Sequence, residues 1–263
     1  MCPVRARSYG RAVPGPPAPN FGSVAVTYAR HRPGYPADAV AWALGELAGR
    51  PGVHLLDVGA GTGKLTEALL GRLGPGGRVT AVDPDPAMLA QLRSRLASVD
   101  AREGSAESVP LPDASVDGVL VGQAFHWFDP DRAVPEIARV LRPGGVLAAL
   151  WIAFDVSVGW VRGFLEAGSW DPVAQLHDDA KELPDGHGFA AAELRRFPFS
   201  HPTTVDALVA ELGTRSWVLT VPRAEREAGL AGARAYLSAR PETSGGEFDL
   251  PRVVDVLRAR RGA

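Results

Sequence analysis

The chain has 263 residues, of which 46% are hydrophobic and 22% are charged, and its formal net charge is -2. This composition is typical of a globular protein with a sizeable core, and the near-neutral charge argues against nucleic acid or an anionic membrane surface as the main partner. The single cysteine, Cys2, excludes a disulfide within the chain, and the six histidines lack the spacing of metal ligands, so we expect no metal.

Residues 1–20 are rich in proline, alanine and arginine and show no apolar periodicity, which predicts a disordered tail. The start of the chain lacks the apolar core of a signal peptide. The longest apolar run, Gly145–Phe154, is too short to span a bilayer. We therefore expect a cytoplasmic protein, monomeric or homodimeric, that uses no membrane partner.

From residue 21 onwards, helical patterns alternate with apolar runs of strand length. Helices are predicted to begin at Pro36, Lys64, Asp85 and Arg132, and we expect Pro135 in the first turn of the last one. The apolar runs are His54–Val58, Val79–Asp83, Val116–Gly122 and Val146–Phe154. Because these runs lack alternation, helices should cover both faces of the sheet. The pattern predicts a doubly wound, Rossmann-like α/β fold with a mostly parallel sheet.

Beyond Phe154 the pattern is weaker. Residues 170–189 suggest short helices and loops, Thr204–Pro222 reads as a helix followed by a turn, and Ala224–Ala239 is helical. Residues 247–259 are predicted to form a closing strand, although the end of this segment also suits a helix.

The stretch Leu55–Leu65, LLDVGAGTGKL, connects the first strand to a helix through glycines at alternate positions. A phosphate-binding loop needs a glycine five positions before the pair Gly63-Lys64 and a hydroxyl residue after it. Val58 and Leu65 occupy these positions, which argues against an ATPase or GTPase. The dinucleotide fingerprint G-x-G-x-x-G fails as well, because its third glycine is missing in both registers.

Asp57 at the end of the first strand points to a different ligand. A carboxylate beside the glycine turn would repel a pyrophosphate and would attract an ammonium group. The glycines allow the ligand to approach the backbone closely, and the helix start at Lys64 suits a carboxylate. S-adenosylmethionine (SAM) carries a sulfonium, an ammonium and a carboxylate but no phosphate, and it fits this turn.

These residues resemble the motifs of class I SAM-dependent methyltransferases. LLDVGAGTG is similar to their first motif and VTAVDPDPAML to the second, while GSAESVPLPDASVDGVLVGQAFHWF resembles the third and fourth. IARVLRPGG resembles the segment before their fifth strand. YARHRPGYP resembles the N-terminal cover of the small-molecule subfamily (methyltransferase type 11) that includes trans-aconitate and ubiquinone/menaquinone enzymes. The resemblance implies a helical cover over residues 21–50, a SAM-binding core over 51–154, and a helical substrate-side insertion with closing strands over 155–263.

The resemblance also implies which residues bind the cofactor. Asp57 would position the ammonium and Asp83 the ribose hydroxyls, and Arg32 in the cover would hold the carboxylate. At the position of Ser105 the family often has an aspartate that bonds the adenine amino group. Here Glu107 is the candidate for that contact. The alternative is that Glu107 is a solvated acid at the start of a helix. The full implied set is Asp57, Gly59, Ala60, Gly61, Gly63, Asp83, Pro84, Met88 (on the adenine or in the core), Ser105, Ala106, Glu107, Gln123, Tyr28 and Arg32. Lys64 is expected to face solvent.

The acceptor side is less defined. His126 is the candidate general base, although a role in anchoring its loop is favoured. Candidate substrate contacts are Tyr35, His126, Trp127 and Trp151. The predicted reaction is in-line methyl transfer from SAM to a small molecule, at a hydroxyl or carboxylate oxygen. The alternatives are a carbon or nitrogen acceptor, or a SAM-binding protein without methyl transfer.

Overall fold

The computed structural model describes residues 25–171 and 187–262. The predicted tail and most of residues 170–189 lie outside the described residues. The described residues form one sheet of seven strands: β1 (His54–Val58), β2 (Arg78–Asp83), β3 (Asp100–Glu103), β4 (Val116–Gly122), β5 (Leu141–Phe154), β6 (Glu193–Thr203) and β7 (Phe248–Arg260).

The strand order is β3-β2-β1-β4-β5-β7-β6. Strands β1 to β5 pair in parallel, and β7 lies antiparallel to both of its neighbours. The predicted doubly wound α/β fold and the predicted closing strand are confirmed. The order changes direction beside β1, and ligands of such sheets bind at the carboxyl ends of the strands at this switch point.

Helices cover the sheet on both faces: α1 (Ala25–His31), α2 (Ala37–Leu44), α3 (Lys64–Leu70), α4 (Pro86–Arg95), α5 (Pro130–Val140), α6 (Gly159–Ala167), α7 (Val205–Leu212), α8 (Ser216–Leu219) and α9 (Arg223–Ser238). Within the described ranges, none of these helices is long and apolar enough to cross a membrane.

The core forms two layers because alternate strand residues face opposite sides of the sheet. Leu56 and Val121 pack with Ile137 of α5 on one face, whereas Leu55 and Leu120 pack with α2 and α3 on the other. A third apolar cluster joins α6, α7 and α9 to the ends of β5 and β7. These layers explain why the strand runs are apolar throughout, as predicted.

Two strands escaped prediction because they lie at the edges of the sheet. β3 reads DARE and pairs only with β2, so it needs no apolar face. β6 reads ELRRFPFSHPT and pairs only with β7. Its prolines, Pro198 and Pro202, are tolerated because an edge strand leaves one side of its backbone unpaired.

The expected position of Pro135 in the first turn of its helix is wrong. Helix α5 begins earlier, at Pro130, and the side chain of Asp129 caps it by accepting a hydrogen bond from the Asp131 amide at 3.2 Å. Pro135 therefore lies inside the helix. The sequence analysis overlooked the start signal formed by Asp129 and Pro130.

Candidate cofactor and acceptor site

The glycine turn after β1 requires glycine at each alternate position. Gly59, Gly61 and Gly63 have φ values of 68°, 54° and 85°, in the left-handed region that residues with a Cβ rarely adopt. A Cβ on Gly59 would lie 2.5 Å from the Cβ of Ala124, in the loop after β4. The turn therefore brings the ends of β1 and β4 into direct contact.

Asp57 is a buried acid directly beneath this turn. It is 0% exposed, and its Oδ2 accepts a hydrogen bond from the Thr66 hydroxyl of α3 at 2.6 Å. Its Oδ1 has no hydrogen-bond partner among the described residues. Burial raises the pKa of Asp57 to about 7, against the lowering effect of the Thr66 hydrogen bond. The sequence analysis missed Thr66, a common residue in an ordinary helical position.

Asp83, at the end of β2, holds two loops together. Its Oδ2 accepts from the Gly61 amide at 2.8 Å, and its Oδ1 accepts from the Asp85 amide at 2.9 Å. Burial raises the pKa of Asp83, and these two amides partly offset that effect. Each carboxylate oxygen can accept a second hydrogen bond, so the geometry is compatible with the predicted contact to ribose hydroxyls.

The predicted adenine-side residues lie in the segments that follow β2 and β3, with Met88 in α4. Pro84 is exposed and Met88 is buried against the core. Ser105 pairs with Ser108 across a tight turn, and Ala106 is buried in the α5 layer. Glu107 accepts a hydrogen bond from the Asp129 amide at 3.0 Å, so its carboxylate supports the start of α5.

Two adjoining cavities open at the carboxyl ends of β1, β4 and β5. The glycine-loop cavity is lined by Tyr28, Tyr35, Asp57, Gly59, Ala60, Gly61, Thr62, Lys64, Leu65 and Gly122. The arginine cavity is lined by Tyr28, Arg32, Pro33, Tyr35, Lys64, Gln123, Ile152 and Arg215. Tyr28, Tyr35 and Lys64 belong to both walls. The two cavities therefore adjoin at these three side chains.

The expectation that Lys64 faces solvent is wrong, since the residue lines both cavities and is half-buried. Burial lowers the pKa of its ammonium. Gln123 lines the arginine cavity and has a φ of 59°. Its side-chain amide donates to the Ile152 carbonyl at 2.7 Å, which fixes it between β4 and β5.

Arg32 joins the N-terminal cover to the second half of the chain. Its Nε donates to the Thr214 hydroxyl at 2.9 Å, and an Nη donates to the Thr214 carbonyl at 3.0 Å. The neighbouring Arg215 lines the same cavity and donates to Glu211 at 2.6 Å. The sequence analysis missed Arg215 and Glu211, because nothing local in the sequence distinguishes them from surface residues of a helix.

The candidate acceptor residues divide into two groups. Tyr35 lines both cavities, and a Cβ on Gly122 would lie 2.5 Å from its hydroxyl oxygen. His126 and Trp127 lie in a short 3-10 turn, where their ring centroids are 4.9 Å apart. Trp151 is buried in the α5 layer against Phe125. These last three candidates do not belong to the wall of either cavity described above.

Comparison with known proteins assigns the family. A family model described as a methyltransferase domain matches residues 56–149. An uncharacterized methyltransferase of Mycobacterium tuberculosis is 42% identical over 91% of this chain and 95% of its own length. The chain belongs to the class I SAM-dependent methyltransferases. A methyltransferase-like protein of Schizosaccharomyces pombe is 36% identical over 79% of this methyltransferase and 81% of its own length.

Solved structures agree with this assignment. A chain described as a type II methyltransferase from Anaeromyxobacter dehalogenans superimposes on this methyltransferase with a TM-score of 0.62 and 30% identity. The superposition covers 88% of this chain and 97% of that one. The methyltransferase therefore uses SAM as its methyl donor. The chemistry of the glycine-loop cavity is compatible with this donor, because the cavity joins the glycine turn to a buried carboxylate whose Oδ1 has no hydrogen-bond partner among the described residues.

Proposed function

We propose that this methyltransferase transfers the methyl group of SAM to an oxygen of a small-molecule acceptor, a hydroxyl or a carboxylate. The observation that supports the proposal best is the pair of adjoining cavities. A donor in the glycine-loop cavity and an acceptor in the arginine cavity would meet at the wall formed by Tyr28, Tyr35 and Lys64. Such an arrangement aligns two reactants for in-line displacement.

We assign the donor to residues around the glycine turn. Asp57 would receive the ammonium, the amides of Gly59 to Gly63 would surround the amino-acid portion, and Asp83 would receive the ribose hydroxyls. The adenine would lie toward Met88, Ser105 and Ala106. Tyr28 would close the cavity. Gln123 and Arg32 line the adjoining arginine cavity, so Gln123 would close the donor cavity and Arg32 would approach the donor carboxylate from that side. When bound, SAM supplies a methyl group that is already activated by the positive charge on its sulfur.

The chain's own residues then have three tasks in the proposal: to orient the acceptor, to exclude water and to take up a proton where needed. Tyr35 lies across both cavities and is suited to orienting the acceptor. A hydroxyl acceptor needs a base, and His126 is the predicted candidate. Its place beside Trp127, outside both cavity walls, supports the alternative role of anchoring the loop. A carboxylate acceptor needs no base.

A second candidate reaction is transfer to carbon. A ubiquinone/menaquinone biosynthesis C-methyltransferase of Rubrivivax gelatinosus is 35% identical over 153 residues, which are 57% of this chain and 59% of that protein. Because this match covers less than two thirds of either chain, we do not carry its acceptor atom over, and we rank the oxygen acceptor first.

The test is to incubate the protein with a metabolite extract and SAM labelled with carbon-13 on its methyl group. Products are identified by mass, and the labelled carbon is classified as O-, N- or C-methyl by its carbon-13 chemical shift. We expect a small O-methylated product. Label on carbon or nitrogen would contradict the oxygen acceptor, and label only in protein or RNA would contradict the small-molecule acceptor. Asp83→Ala, which we expect to lose SAM binding, is the control for enzyme-dependent labelling.

A further inference from the structure

Two arginines share one buried carboxylate beside the arginine cavity, and a third arginine lies close to it. Glu211 accepts from Arg215 through one oxygen and from Arg252 through the other, and its side chain is 2% exposed. Arg32 reaches the same cluster through Thr214. Among the described residues, Glu211 is the only carboxylate that forms an ion pair with any of these guanidinium groups.

The cluster therefore holds more positive than negative charge in a region sheltered from water. Arg215 and Arg252 are 8% and 0% exposed, and the guanidinium of each lies 4.8 Å from the ring centroid of Phe154. The Nε of Arg215 and the Nε and one Nη of Arg252 have no hydrogen-bond partner among the described residues. Burying unpaired charge and unpaired donors is costly, and an anion that meets them recovers this cost.

The pKa of Arg32 reports the same imbalance. Burial lowers the pKa of this guanidinium to about 10, and repulsion from Arg215 adds to the effect. Glu211 acts in the opposite direction but does not compensate. An added negative charge would restore the pKa and stabilise the three guanidinium groups together.

Arg32 and Arg215 line the arginine cavity but not the glycine-loop cavity, whereas Lys64 lines both. Arg32 already donates to Thr214 through its Nε and one Nη, which leaves Arg215 as the guanidinium with an unused Nε. A guanidinium binds a carboxylate through two parallel hydrogen bonds. Glu211 accepts from one Nη of Arg215, and the Nε of Arg215 has no hydrogen-bond partner among the described residues, which leaves a donor for a second anion.

We propose that the arginine cavity recognises an acceptor bearing a carboxylate, which binds Arg215 while another part of the acceptor faces the methyl donor. This inference rests on the proposed function in placing the acceptor in this cavity. Because Glu211 already binds the same guanidinium, one further carboxylate suits Arg215 better than a phosphate, which presents more oxygens and more charge.

The binding test uses three probe pairs of similar shape and different charge: succinate with succinamide, glutarate with glutaramide, and benzoate with benzamide. Calorimetric titrations are made on the full chain saturated with S-adenosylhomocysteine. We expect at least one carboxylate to bind about tenfold or more tightly than its amide, with affinity that falls as salt increases. Equal binding within every pair, no binding by any carboxylate, or tighter binding of inorganic phosphate would overturn the inference.

Variants then locate the site. Arg215→Gln should reduce the affinity of the preferred carboxylate about tenfold or more while the affinity for S-adenosylhomocysteine stays the same. Arg215→Lys keeps the charge that pairs with Glu211 and provides a second reading if the glutamine variant fails to fold. Its loss should be several-fold, because an ammonium cannot form the paired bonds. Arg223→Gln, at an arginine whose side chain is 82% exposed on α9, is the matched control. Unchanged carboxylate affinity in both Arg215 variants would overturn the inference.

The two proposals can fail separately. If the product of the labelling experiment is C-methylated but a carboxylate still binds through Arg215, the oxygen acceptor is wrong and the anionic acceptor stands. If an O-methylated product forms and no probe depends on Arg215, the reverse holds.

Discussion

Asp57 and Glu211 are both buried carboxyl groups of this site, yet their pKa values are shifted in opposite directions. Asp57 has a threonine hydroxyl as its partner, and burial raises its pKa to about 7. Burial also acts to raise the pKa of Glu211, but attraction from Arg252, Arg215 and Arg32 outweighs it and brings the pKa to about 2. Burial acts in the same direction on both acids, so the partners decide the difference between their charges.

The same contrast separates the two cavities. The glycine-loop cavity contains an acid that can change its charge, next to a turn that carries three glycines. The arginine cavity is bordered by fixed charges that cannot leave their positive form near neutral pH. The first suits a cationic donor, and the second suits an anion.

The largest effect on stability should come from removing the carboxylate of Glu211. Glu211→Gln leaves Arg215 and Arg252 buried without a carboxylate, and we expect it to lower the free energy of unfolding by about 3–5 kcal/mol. Urea denaturation at pH 7 measures this loss. Glu227→Gln is the matched control, because Glu227 forms an exposed pair with Arg223 on α9, and its loss should cost less than about 1 kcal/mol.

The Glu211 effect should also depend on pH. Because the folded pKa lies below the usual value of 4.5, the stabilisation is present above about pH 4.5 and is lost as the pH falls toward about 2. The shift corresponds to about 3 kcal/mol. The difference between wild type and Glu211→Gln should therefore narrow in acid. A difference that stays constant from pH 7 to pH 3 would contradict the paired state of this acid.

The next largest effect tests whether the glycine turn is a packed contact between two strand ends or only a flexible connection. Gly59 and Gly52 have the same φ of 68°, but only Gly59 would bring a new Cβ against another residue, Ala124. We expect Gly52→Ala to cost about 1 kcal/mol from backbone strain alone. Gly59→Ala should cost about 2–4 kcal/mol, because overpacking adds to the strain.

A second substitution separates the two causes. Ala124→Gly removes the carbon that the new Cβ would meet, so the double variant Gly59→Ala/Ala124→Gly should recover the steric part of the loss. Urea denaturation of the four proteins gives the interaction energy between the two sites. If Gly59→Ala costs no more than Gly52→Ala, the close contact between the two loops is wrong.

Much of the glycine-loop cavity can be predicted from sequence, because each of its residues belongs to a short motif at the end of a strand. Asp57, the glycines and Asp83 sit at the ends of continuous apolar strands, and the parallel sheet then places these ends together. Edge strands such as β3 stayed hidden because a strand with one neighbour needs no apolar pattern. Lys64 was wrongly predicted to face solvent, because the burial of its side chain depends on how the N-terminal cover folds over α3.

The arginine cavity could not be predicted, because its contacts join residues that are far apart in the sequence. Arg32 and Thr214 are 182 positions apart, and Glu211 and Arg252 are 41 apart. Each of these residues is ordinary in its own segment. Only the packing of α1, α7 and β7 turns three separate arginines into a cluster, and neither periodicity nor spacing carries that information.

The smallest effect concerns Asp57. It is a pH dependence of SAM binding rather than a loss of stability in a variant. With a pKa of about 7, Asp57 is largely protonated at pH 6, and its raised pKa means that the folded protein loses stability as the pH rises from about 4 to about 7. A bound ammonium favours the carboxylate. SAM binding should therefore release up to one proton below pH 7, and SAM affinity should rise by at most about tenfold per pH unit until it levels off above pH 7.

Calorimetry of SAM binding in two buffers of different ionisation enthalpy measures the proton release. Asp57→Asn should abolish it. Thr66→Val removes the hydrogen bond that lowers the pKa of Asp57, so it should move the release to higher pH. Equal proton release in wild type and Asp57→Asn would show that another group responds to the donor.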